Sequence, residues 1–127
     1  MKIILANGTE LSPISAMGAK RTVQGANRDT LSFCFPATAS VDELNSIFTA
    51  SNCETITIVE GENQYVHNAY TIRAELKREP VEVKKATTTE APVYEDRVVV
   101  SMAQRTYAES KIAEMQAVMN ALLNEEG

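Results

Sequence analysis

The sequence predicts an α+β protein. It should hold a small, mostly antiparallel β domain with one short helix at about residues 40–51 and a long C-terminal helix at about 102–124. Three observations carry this. Leu31, Phe33 and Phe35 alternate with Thr30, Ser32 and Cys34, and Ile56 and Ile58 alternate with Thr55 and Thr57, which is the two-residue period of a strand. In ASVDELNSIFTAS, Val41, Leu44, Ile47 and Phe48 fall on one face at helical spacing. Residues 102–124 contain no glycine or proline and are rich in Ala, Met, Glu, Gln and Leu, all good helix formers. The 127 residues suffice for one ordinary domain. The expected division is a β-rich domain over 1–100, with a Thr- and Pro-containing connector near 84–92, and a C-terminal helix over 101–127.

Taken in order, residues 2–6 form a first strand, and Asn7-Gly8 is a hairpin signal. A second short strand covers Glu10 to Ser15. Pro13 makes it an edge or irregular strand, because proline has no N–H to give a ladder. Lys20 to Gln24 fits another strand, and Thr30 to Phe35 fits a stronger one that ends at Pro36. Ser40 is a good N-cap with Glu43 three residues later, the capping-box pattern. About three helical turns follow, stopped at Ser51-Asn52. Residues 54–79 predict one long hairpin turning at Gly61-Glu62-Asn63. On its second strand, Val66, Tyr70, Ile72, Ala74 and Leu76 share a dry face. His67, Thr71, Arg73, Glu75 and Lys77 share a wet one. Val93 to Val100 returns to strand character.

Ser101 is the expected cap of the last helix, with Gln104 three residues on. Ile112, Met115, Met119 and Leu122 are spaced by three, four and three residues, which is an a/d seam. Extended backward it reaches Ala108 and then Arg105, where it turns polar. Val118 and Leu123 widen the stripe. About two heptads are covered, and flexible methionines do not select dimer over trimer. A helix of about 23 residues is roughly 35 Å long, more than a small domain needs to cover its own sheet. Ile112, Met115, Val118, Met119, Leu122 and Leu123 are therefore the expected interface residues. The competing reading folds the same stripe back onto the chain's own sheet.

The net charge of −5 speaks against nucleic-acid binding, which rests on Lys and Arg neutralising phosphates. The apolar run at the N-terminus, Ile3 to Ala6, is too short for a signal peptide, and no stretch reaches membrane-spanning length. A cytoplasmic protein without membrane contact is expected. Cys34 and Cys53 do not make a disulfide framework. With one histidine, His67, no zinc set can be assembled. The acidic pairs Asp42-Glu43, Glu60/Glu62 and Glu95-Asp96 suit a solvated surface better than acid/base work. No catalytic, cofactor-binding or metal-binding residue is expected, and no cofactor.

ELKREPVEV (75–83) and VYEDRVVVSMAQRTYAE (93–109), together with KIILANGTEL near the start and VQGANRDTLSF in the middle, resemble a group of small proteins. These are encoded in the tail and baseplate gene region of phages and prophages of Firmicutes. The resemblance implies a structural component of a phage tail, its baseplate or a related contractile particle. It would assemble in the host cytoplasm and then join the virion tail. Its partners would be itself, as a homo-oligomer, or other tail proteins. An edge strand near Pro13 and the Thr-rich connector would be further contact points. The alternative is a monomeric cytoplasmic binding module, or an assembly chaperone for another phage protein.

Overall fold

Four hairpins build the β structure in this computed structural model, which describes residues 1–126. The first joins β1 (Lys2–Leu5) to β2 (Glu10–Leu11). Gly8 sits at φ 87° and donates its N–H to Leu5 O at 2.9 Å, the left-handed geometry that favours glycine. The expected strand from Glu10 to Ser15 stops at Leu11. The next residues cross to the other sheet, where the Ile14 N–H donates to Cys34 O at 2.7 Å. Pro13 is buried in that crossing, so of the two expectations, edge or irregular strand, the open edge fails and the irregular backbone stands.

The second hairpin joins β3 (Ser15–Val23) to β4 (Ala26–Pro36), both longer than their sequence alternation suggests. Its two-residue turn, Gln24-Gly25, has positive φ at both positions, 48° and 77°. That backbone matches the right-handed twist of the flanking strands. α1 (Val41–Ile47) follows, with Ser40 Oγ accepting from the Glu43 N–H at 3.2 Å as expected. The helix has two turns, not three. Asn52 Nδ2 donates to Ile47 O at 2.9 Å, and Arg73 Nη2 donates to Asn45 O at 3.0 Å and Phe48 O at 2.6 Å. These side chains satisfy carbonyls that a further turn would have used.

β5 (Thr55–Glu60) and β6 (Asn63–Asn68) form the third hairpin, around Gly61-Glu62. The long second strand predicted after the Gly61-Glu62-Asn63 turn is in fact two strands in different sheets. Ala69, at φ 66°, breaks the two-residue period between them. Its N–H donates to Glu54 O and its carbonyl accepts from the Arg105 N–H, at 2.9 and 2.8 Å. Of the predicted dry face, Val66 is exposed, whereas Tyr70 is buried and Leu76 packs half-buried against the core. β7 (Ile72–Lys84) and β8 (Val93–Ala103) form the fourth hairpin, and residues 85–92, expected as a connector, are its loop.

The strand orders are β2-β1-β5-β6 and β3-β4-β8-β7, so each sheet is two hairpins joined edge to edge through an antiparallel pair. The fold is α+β with mostly antiparallel strands, as predicted. One core lies between the sheets and under α1, where Phe48 stands 5.8 Å from Phe33 and 6.1 Å from Phe35, centroid to centroid. β3 and β7 lie at opposite edges of the second sheet, about 14 Å apart if it were flat. Yet Arg21 Nη1 stands 3.4 Å from Glu75 Oε2. These two long side chains bridge the width of the sheet, across the face on which Ser32 and Ser101 stand with hydroxyls 2.7 Å apart.

The expected helix cap at Ser101 is overturned. β8 runs on to Ala103, because Met102 continues the inward alternation of Val98 and Val100 and pairs with Leu31. Burial outweighs the helix propensity of Met and Ala here. The last helix, α2 (Tyr107–Glu126), starts five residues later than predicted. Gly127, the end of the segment assigned to the helix, lies outside the described residues.

Candidate protein–protein interface

The start of α2 is built by Thr106 and Glu109. The Thr106 N–H donates to Glu109 Oε1 at 2.9 Å, and the Glu109 N–H donates to Thr106 Oγ1 at 3.2 Å. This is a reciprocal capping box, at a different pair from the one predicted. Glu109 does a second job. Arg28, on β4, is buried, with only 4% of its surface exposed. Its Nε donates to Val23 O at 2.7 Å and its Nη1 to Gln104 O at 3.2 Å. The rest of the guanidinium grips the Glu109 carboxylate in a fork, Nη1 on Oε1 and Nη2 on Oε2, the latter at 3.0 Å. A planar two-point pair of this kind fixes direction as well as distance. The Arg28 hydrogen bonds, reinforced by the Thr106 N–H, hold the Glu109 carboxyl at about 2, well below the usual carboxylate range.

The short link from β8 to α2 is tied down as well. The Gln104 N–H donates to Asp29 O at 2.8 Å and its side-chain amide to Asn68 O at 3.0 Å. The Arg105 N–H donates to Ala69 O at 2.8 Å, and its Nη2 donates to Glu54 Oε2 at 3.0 Å. Arg105 therefore turns back to the β body and does not extend the helix seam. The helix is fastened to both sheets at its root.

Beyond that root α2 leaves the body. Every residue from Lys111 to Leu123 is exposed. Ile112, Met115, Val118, Met119, Leu122 and Leu123 each expose between 55% and 64% of their surface. The structure brings all six predicted residues onto one side of the helix, and among the described residues nothing covers them, so the stripe does not fold back onto the chain's own sheet. Six large apolar side chains on one side of a helix form a contiguous patch, unlike singly scattered exposed residues.

His67 contradicts its predicted place on the wet face. It pairs with Ile56 in the ladder, is half-buried, and meets Tyr70 edge-on at 5.7 Å, in a cleft that Lys20 and Asp29 also line. The early end of β6 at Asn68, before the φ-positive Ala69, is what turns Tyr70 inward beside it. Burial raises the Tyr70 hydroxyl above its ordinary range, with Asp29 adding to the effect. Asp42 and Glu43 lie in the first turn of α1, and Glu60 and Glu62 flank the β5–β6 turn. Among the described residues, no cluster of His, Cys, Asp and Glu could hold a metal ion, and no helix is long and apolar enough to cross a membrane.

No family, curated protein or solved structure matches the chain.

Proposed function

We propose that this chain is a structural assembly protein whose working surface is the apolar side of α2. The observation that carries the reading is a long exposed apolar stripe on a helix whose root is locked by Arg28 and Glu109. A stripe on a loosely tethered helix would pay a large ordering cost on docking. A helix already held in direction avoids most of it. With the resemblance of residues 75–83 and 93–109, the reading becomes a component of a phage tail, baseplate or related contractile particle, acting through protein–protein contacts.

The test is a double substitution, Met115→Glu with Met119→Glu. Both side chains are exposed, so the stability of the isolated fold should change by less than about 0.5 kcal/mol. The strand signal in circular dichroism and the melting midpoint should stay near wild type. Association, read by light scattering, should be lost. A variant that still associates would place the interface elsewhere. A variant that no longer folds would make α2 part of the chain's own core.

A further inference from the structure

Resting on the reading of α2 as the interface, we infer that its partner is a second copy of this chain, paired antiparallel about a two-fold axis near the middle of the helix. The argument begins with spacing. In an antiparallel pair, Ile112 of one copy faces Leu122 of the other, and Met115 faces Met119. The four seam residues then make four complete layers centred on position 117. All four seam positions lie within α2, Tyr107–Glu126.

The β body decides between the two orientations. By size it is roughly 30 Å across, while paired helix axes lie about 10 Å apart. The first seam residue, Ile112, is only about 8 Å along the axis from Tyr107. A parallel pair would bring two such bodies to the same end of a narrow seam. The Arg28–Glu109 fork and the tied link prevent the helices from swinging to make room. An antiparallel pair sends the bodies to opposite ends. Opposed helix dipoles add a small favourable term.

The area is adequate. Six side chains each exposing on the order of 100 Å² give roughly 600 Å² per copy, or about 1,200 Å² in all, the lower end of specific interfaces. The middle of the seam is Met on Met, a contact that tolerates imperfect fit. A dimer that dissociates on dilution is the expected behaviour.

The experiment is cysteine cross-linking under mild oxidation on the full chain, with wild type as the control for its own cysteines, one of them fully buried and the other half-buried. Ile112→Cys and Leu122→Cys are made as separate variants. Mixed together, they should form a disulfide-linked heterodimer, since the two positions face each other. Leu122→Cys alone should not link to itself, because the two copies of that position stand about 15 Å apart along the axis, whereas a disulfide needs Cβ atoms about 4 Å apart. Self-linking of Leu122→Cys without the mixed product means a parallel pair, which overturns the orientation and leaves the assembly reading intact. No product of either kind from a protein that scatters as a dimer means a different interface between copies. No product from a protein that scatters as a monomer overturns self-pairing altogether.

Discussion

Arg28 is the residue on which the geometry of α2 depends, and nothing in the sequence marks it. One arginine in a mixed-charge chain gives no periodic signal. Its burial comes from a turn at Gln24-Gly25 that brings Val23 O to its Nε, and from a helix root eighty residues away. Thr106 and Glu109 were legible in principle, since Thr-x-x-Glu is a capping pattern. Ser101 and Gln104 carry the same pattern five residues earlier, and only the burial of Met102 decides against them. The fork makes a pH prediction with a definite sign. Glu109 titrates lower in the folded chain than the usual unfolded value near 4.3. Its stabilising contribution is therefore complete above that value and is lost as pH falls toward about 2. Carbon-13 NMR of the Glu109 carboxyl should give a midpoint of about 2, and Arg28→Met should return it toward the ordinary range. A wild-type midpoint near 4.3 would mean that the fork does not persist in solution.

At the scale of elements, the strands with clean alternation were legible and the changes of sheet were not. Residues 54–79 look continuous because β6 and β7 both alternate. The break is one left-handed residue, Ala69, with no glycine or proline to announce it. That misplaced both His67 and Val66. α1 was found by its cap and its apolar face, but its length was set by Arg73 and Asn52, which arrive from elsewhere in the chain. Phe48, at the end of α1, meets both Phe33 and Phe35 and is almost wholly buried. Phe48→Ala should therefore cost about 3–5 kcal/mol in a denaturant titration. Ser40→Ala, which removes only the cap, should cost about 1 kcal/mol. Equal losses for the two would mean that α1 is held mainly by its cap and not by the core beneath it.

Across the whole molecule, a two-sheet body holds a rod at a fixed direction and leaves one side of the rod apolar. The stripe was legible because helical spacing survives whether a helix is packed or free. Whether it covers the chain's own sheet was not legible. That depended on β8 continuing to Ala103 and on the root being pinned where it is. The proposed place in a phage tail or baseplate carries its own prediction. Antibodies raised against the β body should label the tail end of purified particles that contain this chain. Labelling confined to the capsid would contradict it.

The most direct measurement is the mass of the intact chain by light scattering behind size exclusion, over a wide range of concentration. The monomer is 13.9 kDa. The account predicts a species of twice that mass which gives way to monomer on dilution. A single monomer mass at every concentration would contradict it.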